Sequence, residues 1–110
     1  MKTIVAVIKP IKLEPVREAL AAIGLRGLTV SRVEGCGHGR PEIHRGSEYT
    51  GDLLERLKVE LVLPDNGVEE AVRAIQTAAH TGHAGDGIIA VYPTTEIIRI
   101  STGEKGEPAL

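Results

Sequence analysis

The chain has 110 residues, 42% hydrophobic and 25% charged, with a formal net charge of −2, which suits one soluble domain spanning 1–110. It carries no global basic field for nucleic acid or an anionic membrane, two tyrosines without Phe or Trp disfavour base stacking, and no apolar run approaches the roughly 20 residues of a membrane span. The single cysteine, Cys36, excludes an intrachain disulfide framework and fits a reducing compartment, so a cytoplasmic location is expected.

Residues 3–8 form a β-branched run with apolar residues on both faces, the pattern of a strand covered on one side and buried further by a partner. Leu13, Val16, Leu20 and Ile23 then recur at helical spacing, and Gly24 sits where a C-terminal glycine belongs. Residues 28–33 read as a second strand. From 34 to about 54 neither period holds; the stretch carries five glycines and a proline. A connection of about 20 residues in a compact domain is usually functional. Leu57, Val59, Leu61 and Leu63 alternate as a third strand, which Pro64-Asp65-Asn66 ends, offering a helix cap. Val68, Ala71, Val72, Ile75 and Ala79 make the apolar face of a second helix. After a glycine-rich turn at 81–87, residues 88–92 give a fourth strand and 96–100 a shorter fifth. The polar tail 101–110 is expected to be loosely held.

Strand–helix–strand, a long loop, then strand–helix–strand predicts an α+β fold of the ferredoxin-like βαβ-βαβ kind, an antiparallel four-stranded sheet with two helices on one face. The other face is left bare. It is aliphatic (Val5 and Val7 or their alternates, Val59 or Val62, Ile89) and needs a partner, for which homo-oligomerisation is the simplest answer.

The turn Thr81-Gly82-His83-Ala84-Gly85-Asp86-Gly87 carries the clearest chemistry. Three glycines in six positions allow positive φ and close backbone approach, so that successive N–H groups can converge on an anion. It is not a Walker A loop, because helix precedes strand and no Lys-Ser/Thr follows; on its own it is also a plain helix-ending turn. Gly35 and Gly37, where the second strand enters the long loop, suit either a close phosphate approach or an ordinary bulge. His38, His44, His80 and His83 lack any standard metal-ligand spacing, so no metal site is expected. Asp86 and Glu104 lack the nucleophile that an acid–base pair would serve, so no catalytic residue is assigned.

Seven stretches, IKPIKLEPVREAL at 8–20, GLTV at 27–30, VEGCG at 33–37, RGSEY at 45–49, KVELVLPD at 58–65, TGHAGDG at 81–87 and IIRISTGEKGEPAL at 97–110, together resemble the PII signal-transduction family nearly end to end. The resemblance implies a ferredoxin-like homotrimer with inward-facing sheets, holding ATP or ADP in clefts between subunits. It also implies a T-loop, here about 36–54, that docks onto partners such as transporters and nitrogen-metabolism enzymes. Carried over by position, Val7, Gly27, Leu28, Thr29 and Val62 would line the adenine and ribose. Gly35, Gly37 and His38 would border the phosphates, and Gly85, Asp86 and Gly87 of the B-loop (81–87) would hold them from the other side. Arg99 would reach in from a neighbouring subunit, and Tyr49 matches a position that some members modify.

The chain departs from the family pattern at several positions, which suggests a divergent member. A lysine usually follows the GDG, where Ile88 stands, and a second arginine usually stands at Ser101. Each charge-assisted contact is worth about 1.5–3 kcal/mol, so these losses favour ADP or an AMP-like ligand over tightly held ATP. The long loop is about two residues shorter than the common pattern and lacks the glutamine that helps bind Mg and 2-oxoglutarate, whereas Arg56 replaces a lysine that meets the 2-oxoglutarate carboxylate. Mg and 2-oxoglutarate therefore stay open, as do bicarbonate and a cyclic nucleotide. An enzyme at the subunit junction, such as a weak nucleotide phosphatase, and a metal-tolerance-type trimer are the alternative readings.

Overall fold

The computed structural model describes residues 1–37, 43–44, 47–48 and 53–110. Its elements are β1 (Lys2–Ile8), α1 (Leu13–Ala22), β2 (Thr29–Gly35), β3 (Ile43–His44), β4 (Ser47–Glu48), β5 (Leu54–Leu63), α2 (Val68–Ala79) and β6 (Gly87–Pro93). Four strands make one antiparallel sheet in the order β2-β5-β1-β6, and β3 pairs with β4 separately. This is the α+β, ferredoxin-like topology expected. The strands also run further than expected toward the long loop, since β2 continues to Gly35 and β5 begins at Leu54.

Register decides which side chains enter the core. β1 is bonded on both edges, with Ala6 opposite both Val59 and Ile89, and Ile4 opposite Leu61 and Val91. Side chains alternate along a strand, so Ile4, Ala6, Ile8, Val59, Leu61 and Leu63 all face the helices and are buried. Val16 and Leu20 of α1 and Ala71, Ile75 and Ala79 of α2 close over them. The opposite face holds Val5, Val7 and Val62, all half-buried, with Ile88 68% and Tyr92 45% exposed. Of the residues named for a bare aliphatic face, Val59 and Ile89 therefore belong to the helix side, and Ile88 takes Ile89's place. Lys58 and Glu60 pair across this open face at 3.5 Å.

α1 ends as its glycine predicts. Gly24 has φ 84°, its N–H bonds to the Ala21 carbonyl at 3.0 Å, and the Leu25 N–H reaches back to the Leu20 carbonyl at 2.9 Å, a Schellman arrangement. Pro15 falls in the first turn, where its missing N–H would have had no helical acceptor. The start of α2 differs from expectation. No side chain caps it; a 3-10 turn over Asp65–Gly67 leads in, and Glu69 and Glu70 in the first turn offset the helix dipole instead.

Two expectations about the C-terminal segment are overturned. Residues 96–100 form no strand, and only an isolated antiparallel bridge, Ile98 to Lys105, is present. Turns at Gly103 (φ 76°) and Gly106 (φ 73°) fold the segment onto itself, so the Arg99 N–H bonds to Glu104 and the Gly106 N–H to Ile97 rather than to the sheet. Nor is the tail loose: Glu107–Ala109 forms a 3-10 turn and Ala109 is buried. Among the described residues no helix is long and apolar enough to cross a membrane.

Gly87 opens β6 with φ 116°, and a Cβ there would stand 1.8 Å from the Val7 carbonyl oxygen. Gly87→Ala is expected to lose roughly 2–4 kcal/mol of stability through combined strain and overlap, read from urea unfolding midpoints.

Candidate functional site

The 81–87 turn is organised from within by one carboxylate. Asp86 accepts the Thr81 hydroxyl at 2.5 Å, the Thr81 N–H at 2.7 Å and the Gly82 N–H at 3.0 Å. The Thr81 hydroxyl in turn accepts the His83 N–H at 3.2 Å. The Lys9 ammonium, just past the end of β1, lies 3.2 Å from Asp86 Oδ1, the oxygen that also accepts the Thr81 hydroxyl. His80 Nδ1 stands further off, 3.9 Å from it. The Thr81 hydroxyl and N–H, then the Gly82 N–H and Lys9, hold the Asp86 carboxyl well below the usual carboxylate range.

With Asp86 turned inward, the turn presents backbone outward. Among the described residues, the N–H groups of Ala84 and Gly85 have no acceptor in the chain. Gly82, Gly85 and Gly87 all have positive φ, so the exposed backbone can be approached closely. Arg56 joins this end of the sheet, its Nη2 lying 3.5 Å from where a Gly85 Cβ would be, with Lys9 Cε at 4.0 Å. Lys9 was not singled out in the sequence; only its place one residue beyond Ile8, which pairs with Gly87, brings it here. Ile88 points to the open face opposite Val7 and supplies no charge.

The remaining candidates fall elsewhere. Gly27, Leu28, Thr29 and Val62 line a groove of about 520 Å³ together with Ile97 and Leu110. β2 is an edge strand, so backbone polar groups along the groove are available to a ligand. Val7, by contrast, lies with Asp86, Gly87 and Ile88 around a smaller hollow of about 190 Å³. Val7 thus joins the turn and not the groove. Arg99 is exposed on the hairpin formed by the C-terminal segment and lines neither hollow. Gly35 pairs regularly with Leu54, which removes the bulge reading, and a Cβ at Gly35 or Gly37 would meet open space. His38 and Tyr49 lie outside the described residues.

Fold and turn together define a class, a small α+β chain with a glycine-rich turn of exposed backbone at one end of its sheet. A family model described as Nitrogen regulatory protein P-II matches residues 1–104. The protein of that name from Azospirillum brasilense is 51% identical over 112 aligned residues, covering all of both chains. Its namesake from Rhodospirillum rubrum is 53% identical on the same terms, and Nitrogen regulatory protein P-II 1 of Escherichia coli K12 is 47% identical. The chain belongs to the nitrogen regulatory protein P-II family, and a regulatory, signal-transducing role goes with that membership. About half identity over whole chains also corrects the expectation of a divergent member: Ile88 and Ser101 are local changes in an otherwise ordinary relative.

Because folding lowers the Asp86 pKa, its contribution to the turn is complete above the ordinary carboxylate range, declines as pH falls below about 4, and is gone only once pH has passed the lowered folded-state value. Asp86→Asn should reproduce that loss at neutral pH, accelerating amide exchange at Thr81 and Gly82 by roughly tenfold while leaving β1 amides protected. NMR exchange rates and a carboxyl titration check both statements.

Proposed function

We propose that this chain is a nucleotide-sensing regulator that binds an adenine nucleotide between the subunits of a homotrimer. Through its 36–54 loop it controls partner proteins, a transporter or enzyme of nitrogen or carbon metabolism. The observation that carries this reading is the division of the candidate residues into two half-sites. One is an apolar groove along an edge strand, sized for a base and ribose; the other is a backbone-lined turn suited to phosphate. Neither half offers both kinds of contact. A second copy that sets its groove against the first copy's turn would join them, and the aliphatic open face gives the copies a reason to associate. Arg99, exposed on the hairpin whose Ile97 lines the groove, would then approach the neighbour's phosphates.

The cations favour a short phosphate chain. Ile88 and Ser101 stand where positive charge would meet a third phosphate, so ADP or an AMP-like ligand is preferred to ATP. Arg56 beside Gly85 leaves a place for a small acidic effector, 2-oxoglutarate with Mg being the one the family resemblance suggests.

In titration calorimetry, ADP and AMP should bind within about tenfold of ATP, and Ile88→Lys should tighten ATP by roughly tenfold or more. ATP far tighter than ADP in the unmodified chain would overturn the preference, absence of binding to all three would overturn the nucleotide reading, and steady release of ADP from Mg-ATP would favour the phosphatase. The assembly has its own test. Light scattering should give three subunits for the chain and one for Val5→Glu, whose buried charge the joined faces could not accept.

A further inference from the structure

We infer that Lys9 is the positioning residue of the 81–87 turn, acting on a bound anion through Asp86 and not by touching the anion itself. The inference rests on the anion-binding reading of that turn, and on three observations. First, three positive-φ glycines give the turn little conformational preference of its own, so its order must be imposed by contacts. Those contacts converge on Asp86, which holds Thr81 and Gly82. Second, the Lys9–Asp86 pair is the one ion pair among the described residues with both side chains less than a quarter exposed, at 23% and 21%. It is also the ionic link from this carboxylate to the sheet. Third, Lys9 is held in place. It follows the central strand directly, precedes Pro10, which restricts its backbone to the extended region, and accepts the Lys12 N–H at 2.9 Å.

The electrostatic consequence is specific. A carboxylate beside an anion site repels the ligand, and the repulsion grows with ligand charge. Lys9 cancels that charge where it stands, so the turn keeps its internal clamp without presenting a net negative wall. A lysine that met the phosphates directly would add attraction whatever residue 86 carried. A lysine that works through Asp86 matters only while residue 86 is charged.

Lys9→Met, Lys9→Arg, Asp86→Asn and the double variant Lys9→Met/Asp86→Asn separate these cases. In the ligand-free protein, Lys9→Met should speed amide exchange at Thr81 and Gly82 by about fivefold or more and raise the Asp86 titration midpoint, with Lys9→Arg restoring both. Exchange at Ile4 and Ala6 reports whether the sheet is intact. With ligand, Lys9→Met should weaken ADP by roughly tenfold and AMP by less, and the loss should shrink to within about twofold when Asp86→Asn is the background. An equal loss in both backgrounds would overturn the inference in favour of direct contact, as would exchange at Thr81 and Gly82 within twofold of the unmodified chain. If no nucleotide binds the unmodified chain, the proposed function fails, while the exchange and titration measurements still decide the role of Lys9.

Discussion

The central strand is bonded on both edges but covered on only one face, and most of the molecule follows from that asymmetry. β1 pairs with β5 and β6 along its whole length, so its register fixes which residues of both neighbours look toward the helices. The helix side closes into a continuous aliphatic core, leaving Val5, Val7 and Val62 half-buried and Ile88 exposed on the other side. The ends of the same strand carry the chemistry. Thr3, at one end, lines the groove, and Lys9, just past the other, meets Asp86. A strand of seven residues spans roughly 20 Å, so the groove and the turn are kept apart by the same element that borders each of them.

That separation bears on how a chain of this size can respond to a ligand. If the proposed site is completed between copies, its occupancy would depend on how the copies are seated, and the long connection joins the sheet at β2 and β5 beside the same end as Gly85 and Arg56. A ligand on the turn therefore lies next to the base of the segment proposed to meet partners. The route from one to the other need be no longer than the last rungs of the β2–β5 ladder, where Val33 faces Arg56.

The regular elements were readable from spacing alone, because both helices and the third strand carry unbroken apolar periods and Gly24 announces its own turn. Other features were not. Val59 and Val62 differ by an odd number of positions, so only the register with Ala6 tells which one the helices cover. Residues 96–100 have the composition of a strand, yet no sheet edge receives them, and the two positive-φ glycines that follow give the chain a local partner instead. Asp65 and Asn66 have the chemistry of a cap but sit in a 3-10 turn that reaches the helix before they can act as one. Lys9 carries no local signal of its own. Its role appears when Ile8 is paired with Gly87, a contact between residues nearly eighty positions apart that no local pattern records.

The absence of large aromatics from the core has a practical side. With no tryptophan and two tyrosines, Tyr49 and Tyr92, the near-ultraviolet signal of this chain has few sources. Tyr92 stands on the open face, so its emission is sensitive to whatever covers that face. A Tyr49→Phe variant would carry one chromophore, sited on the sheet face left bare by the fold. Its emission would report any cover that this face acquires in solution without an attached dye.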